Sequence, residues 1–114
     1  MLVEQEVSSI VGLKSEYALN KVLRNQRKTR EKVFILFHSL WDEHCQKLVR
    51  AIDDKYVKKP KLYFVDSWSS SYAFVAHEKI MGMITITPTL VTLSLDYPKV
   101  EDRLPTIYRV LDVG

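Results

Sequence analysis

The residues of this 114-residue chain with most capacity for chemistry stand together at Trp41-Asp42-Glu43-His44-Cys45. Cys45 is the only cysteine in the sequence. Sulfur exchange needs a thiolate to attack and, for turnover, a second thiol to release the product. One cysteine supplies at most the first of these. Catalytic disulfide reduction is therefore not expected, and an internal disulfide is impossible. A helix N-terminus lowers a thiol pKa, whereas burial and the carboxylates of Asp42 and Glu43 raise it. Packing as a small hydrophobe is the favoured reading of Cys45. His44 is its neighbour, but adjacent residues on a helix point apart, so no Cys–His nucleophile pair is expected. His38, His44 and His77 are scattered and there is no second sulfur ligand. Neither a metal site nor a cofactor is expected.

The elements that hold this cluster can be read outward from it. Val33-Phe34-Ile35-Leu36-Phe37 is a continuous apolar run, as in a strand buried on both faces. Asp42 and Glu43 then open a helix, with Asp42 suited to cap it. Cys45, Leu48, Val49, Ile52 and Tyr56 fall on one face of that helix. Pro60 ends the connection, and Leu62-Tyr63-Phe64-Val65 reads as a second buried strand closed by Asp66. Upstream, Val7 to Leu13 suits a short strand and Ser15 a helix N-cap. Leu19, Val22 and Leu23 form the apolar stripe of the helix that follows.

Downstream, a polar loop from Ser67 to Ser71 holds Trp68, and a helix is expected from about Tyr72 to Met81, stopped by Gly82. A β-branched strand follows Pro88, which suits a strand start. From about residue 96 the pattern is ambiguous. Val100, Leu104, Ile107, Tyr108 and Leu111 fit one helical face with Asp102 as its cap. Thr106 to Val113 fits a last strand instead. The helix is preferred. Alternating strands and helices give an α/β domain, a single one over residues 1–114.

Two stretches resemble the thioredoxin-like superfamily. Phe34 to Cys45 resembles the buried strand followed by Trp-Cys-x-x-Cys, here Trp41-Asp42-Glu43-His44-Cys45. Ile86-Thr87-Pro88-Thr89-Leu90 resembles the cis-proline loop before the next strand. The resemblance spans roughly residues 5 to 95. It implies a thioredoxin-like fold, a central mixed β-sheet flanked by helices, with a cis peptide bond at Thr87-Pro88. The departures are as informative. Asp42 replaces the nucleophilic cysteine, and Leu36 stands where the superfamily places a buried acid that assists proton transfer. His44-Cys45 resembles the end of the Cys-Gly-His-Cys motif of protein disulfide isomerase. Trp-Asp-x-x-Cys resembles the redox-silent spliceosomal subunit of this superfamily, although Pro88 preserves a proline loop that subunit lacks.

The resemblance places Trp41 beside a shallow groove with the Thr87-Pro88 loop. The leading expectation is a redox-inactive binding or scaffold domain that holds a protein or extended peptide with Trp41, Asp42, Glu43, Thr87 and Pro88. One alternative is a monothiol role for Cys45, by glutathionylation or a mixed disulfide with a partner. Another is nucleic-acid or ribonucleoprotein association through the basic segment 24–32. From Lys14 to Lys32 there are seven basic residues against two acidic ones, densest at Arg24-Asn25-Gln26-Arg27-Lys28-Thr29-Arg30. Lys58, Lys59 and Lys61 form a second patch. The favoured reading of both patches is a solvated surface, and the net charge of +3 is mild. No apolar run approaches the roughly 20 residues of a membrane helix, and the first residues lack the pattern of a signal peptide. A reducing, cytoplasmic setting is expected, with a nuclear one also open.

Overall fold

The computed structural model describes residues 11–39, 41–56, 60–66, 88–94 and 98–114. They form a five-stranded sheet in the order β1-β3-β2-β4-β5. The strands are β1 (Val11–Gly12), β2 (Val33–His38), β3 (Lys61–Asp66), β4 (Thr89–Leu93) and β5 (Lys99–Glu101). Three helices are described: α1 (Glu16–Thr29), α2 (Glu43–Lys55) and α3 (Leu104–Leu111). β3 runs parallel to both β1 and β2, whereas β4 is antiparallel to β2 and to β5. The sheet is therefore mixed, as expected.

Every residue of β2 is buried, because the strand is central and covered on both faces. Strand alternation divides its side chains between two cores. Phe34 and Leu36 join Leu48 and Ile52 of α2 and Ile107 and Leu111 of α3. Val33, Ile35 and Phe37 join Leu19 of α1 on the other face, with Val22 and Leu23 packed against them. Helices thus cover both sides.

Local chemistry sets the helix ends. The Ser15 hydroxyl accepts from the Ala18 N–H at 3.1 Å, the cap expected of it. At the other end of α1, Arg30 adopts the left-handed conformation (φ 60°) and its N–H donates to the Gln26 carbonyl. The basic segment through Thr29 is thus the last two turns of α1 and not a loop. Gln26 within it is buried, and its Nε2 donates to the carbonyls of Glu31 and Ser94 at 3.2 and 3.1 Å. This neutral side chain fastens the end of α1 to the end of β4.

In α2, Cys45, Leu48 and Ile52 are buried, and Val49 and Tyr56 half-buried, on the predicted face. The Tyr56 hydroxyl donates to the Pro60 carbonyl at 2.6 Å, and burial pushes its pKa up to about 12.

Two expectations about the tail need correction. Val100 is not on the helical face: it lies in β5, an edge strand on β4, and its side chain is exposed. Asp102 does not cap α3. Arg103 holds that position without a side-chain capping bond, and Pro105 occupies the first turn, where no N–H is required. The helix itself is as preferred, with Ile107 and Leu111 buried. Of the expected first strand, Val11–Gly12 is observed and residues 7–10 lie outside the described residues. The expected helix over 72–81, its stop at Gly82, Trp68 and His77 lie outside them too.

Candidate functional site

The parallel strands β1, β2 and β3 end on one side of the sheet, the side where ligand sites gather in open α/β sheets. Here β2 turns into α2 through Ser39 to Asp42. Ser39 is buried and organises the turn. Its N–H donates to Cys45 Sγ at 3.4 Å, its hydroxyl accepts from the Trp41 N–H at 3.2 Å, and its carbonyl accepts from the Asp42 N–H at 3.2 Å. Nothing in the spacing of the chain singles out Ser39. The available signal is only that a short hydroxyl side chain suits a strand-to-helix turn.

Asp42 caps α2: its Oδ1 accepts from the His44 N–H at 2.8 Å, and its carbonyl accepts from the Gln46 N–H. It remains half-buried, whereas Glu43 and His44 are exposed. Trp41 is 86% exposed, the most exposed large hydrophobic among the described residues. Cys45 is 1% exposed. The structure thus brings Trp41, Asp42 and Glu43 to one surface and withdraws the thiol beneath it. Leu36 is fully buried in the apolar cluster formed with α2 and α3.

Pro88 precedes β4. Since Thr89 pairs with Phe37, Pro88 falls beside the end of β2, at the same side of the sheet as Trp41. Pro88 itself is buried. Thr87, and with it the expected cis peptide bond, lies outside the described residues.

His38, considered in the sequence only as a metal ligand, has a different character. It ends β2, is buried, and stacks edge-on against Phe64 at 5.1 Å. Its Nδ1 has no hydrogen-bond partner among the described residues. Burial holds its pKa below 6.5, and the Asp66 carboxylate opposite it in β3 opposes that shift without reversing it. The unfolded chain therefore takes up a proton on His38 before the folded chain does. Folding stability should be fully present above pH 6.5 and fall as pH drops below it toward the folded pKa. Urea unfolding from pH 7.5 to 5 should show this decline, and His38→Phe should flatten it. An unchanged slope in that variant would remove His38 as the cause.

The basic segment lies at the other end of β2, because α1 ends just before Val33 while Trp41 follows His38. In the second patch, Lys61 pairs with Glu31 at 3.4 Å across exposed surface, a weak interaction. Lys58 and Lys59 lie outside the described residues. Among the described residues, no group of three or more His, Cys, Asp and Glu is placed to hold a metal, and no helix is long and apolar enough to cross a membrane.

Thioredoxins are among the solved structures to which this chain is similar. The chain is similar to thioredoxin O2 from Arabidopsis thaliana in its oxidised state, with a TM-score of 0.70, 22% identity, and coverage of 92% of this chain and 93% of that one. Thioredoxin O1 from the same plant gives a TM-score of 0.66 at 18% identity, covering 90% and 96%. The Schistosoma mansoni thioredoxin gives 0.66 at 16% identity, covering 93% and 95%. No family model and no curated protein matches the sequence. At these identities the likeness establishes the fold. The described residues form a thioredoxin-like α/β fold, and the chain carries one cysteine and no Cys-x-x-Cys motif. Two-thiol disulfide reduction is thereby unavailable to it.

Proposed function

We propose that this chain is a redox-inactive, cytoplasmic binding domain that holds a protein segment or extended peptide at the Trp41 end of its sheet. The observation that carries the reading is the 86% exposure of Trp41 on a turn fixed by Ser39 and by the Asp42 cap. A large indole on a rigid support loses little conformational freedom on binding, which favours tight contacts. Pro88 is buried at the start of β4, at this same end of the sheet, where an extended partner would meet backbone groups. Glu43 and the half-exposed Asp42 favour a basic residue in that partner. The monothiol alternative is weakened by the burial of Cys45, since an attacking thiolate must reach its target.

The test starts from a random peptide library selected on the protein. Selected peptides should bind the Trp41→Ala variant at least tenfold more weakly, the loss expected of a central aromatic anchor. Peptides that bind both forms equally would place the binding surface elsewhere and defeat the proposal.

A further inference from the structure

The outer face of α1 carries a pattern that the Trp41 surface leaves unexplained. Tyr17, Lys21, Arg24 and Lys28 follow the spacing i, i+4, i+7 and i+11, which lines them along one side of the helix. All four are exposed, Tyr17 at 69%. The stripe is about 16 Å long at the rise of an α-helix. Leu19 and Gln26, the buried residues of α1, lie on the opposite side. No acidic side chain pairs with Lys21, Arg24 or Lys28 among the described residues. Arg27 flanks the stripe, and Arg30 and Lys32 continue the positive charge beyond the helix end; all three are exposed. The helix is held at both ends, by the Ser15 cap and by the two bonds from Gln26. The charges are therefore presented on a preordered support.

We infer that this stripe binds single-stranded nucleic acid, with Lys21, Arg24 and Lys28 against consecutive phosphates and a base stacked on Tyr17. The combination selects the ligand. Phosphates satisfy three unpaired cations, and only unpaired bases offer an aromatic face to an exposed tyrosine. An acidic peptide matches the charge and leaves Tyr17 idle. A membrane surface needs an apolar side to insert, and the apolar side of α1 already packs on the sheet. Duplex DNA keeps its bases stacked internally and so offers Tyr17 nothing.

The test is fluorescence anisotropy with labelled single-stranded RNA and DNA 12-mers, compared with a duplex of the same sequence, polyglutamate and anionic lipid vesicles. One of the two single strands, or both, should bind at low salt. With about three phosphates neutralised, affinity should fall roughly twentyfold between 50 and 200 mM salt. Lys21→Gln, Arg24→Gln and Lys28→Gln combined should abolish binding and leave the far-ultraviolet circular dichroism unchanged. Tyr17→Ala should weaken binding about tenfold without altering the salt slope, and Tyr17→Phe should restore it. The inference is overturned if neither strand binds at low salt. It is also overturned if duplex, polyglutamate or vesicles bind as tightly, or if Tyr17→Ala has no effect.

Discussion

Asp42→Cys should convert this chain into one that forms an internal disulfide with Cys45. The unaltered chain, in an insulin assay with dithiothreitol, should reduce disulfides no faster than the reagent alone. Both outcomes follow from the start of α2. Residue 42 is the N-cap and residue 45 lies one turn into the helix. One helical turn brings two Cα atoms within the span that a disulfide bridges. The new thiol would take the half-exposed position, with Cys45 buried behind it as the resolving thiol. Oxidised glutathione should therefore close the pair, read as loss of both free thiols to alkylation. The reduced variant should be less stable by about 1 kcal/mol, since the Asp42 carboxylate no longer accepts from the His44 N–H. Turnover should stay slow, because Leu36 stands where the resemblance expects the acid that assists proton transfer. A variant that retains two free thiols under oxidant, while folded, would mean that residues 42 and 45 are not in disulfide register. Acceleration by the unaltered chain that Cys45→Ser removes would instead support the monothiol alternative.

The parts of this arrangement that the sequence displayed are those whose cause is local. The apolar run Val33 to Phe37 needs no distant information to read as a central strand, and the order of Trp41, Asp42 and Cys45 needs only helix spacing. The caps at Ser15 and Asp42 follow the same rule. The tail exposes the limit. Val100 sits at helical distance from Leu104, but a three-residue strand has too little length to show its own period, and pairing with β4 decides its place. Asp102 has the right chemistry for a cap and stands one residue too early.

The surroundings of Gln26, His38 and Pro88 are not legible in the sequence for a different reason: they depend on residues far along the chain. Gln26 looks like part of a solvated basic run until its amide meets the carbonyl of Ser94, a residue 68 positions away. His38 gains its character from Phe64 and Asp66 on the next strand. Ser39 carries no pattern at all, although it ties the thiol, the indole-bearing residue and the cap residue into one turn. Pro88 is correctly placed at the start of β4, yet its burial is a property of the assembled sheet end.

Leu36→Asp should be the most damaging single change at the site, even though it restores the acid that the resemblance found missing. Leu36 has no solvent exposure and packs with Leu48, Ile52 and Leu90 among others. Removing such a leucine side chain alone costs about 2–5 kcal/mol. A carboxylate in that setting adds a desolvation penalty of several kcal/mol unless it takes up a proton. Against a total stability of about 5–15 kcal/mol for a domain, the variant should be largely unfolded at neutral pH. The carboxyl would be held protonated in the folded state above its unfolded pKa of about 3.9. The folded chain then binds more protons than the unfolded one, so stability must fall as pH rises through that window. Far-ultraviolet circular dichroism at pH 5 and pH 8 should show the variant with a larger folded fraction at the lower value, relative to the unaltered chain. Leu36→Asn, which cannot ionise, should show no such gain relative to the unaltered chain. A Leu36→Asp variant that loses less than about 1 kcal/mol, with a pH dependence matching Leu36→Asn, would mean that the site already accommodates a charge. Redox chemistry would then be limited by Asp42 alone. The expected result is the opposite. Residue 36 belongs to the hydrophobic core, and rebuilding an exchange site here takes a second cysteine together with a repacked interface between β2 and α2.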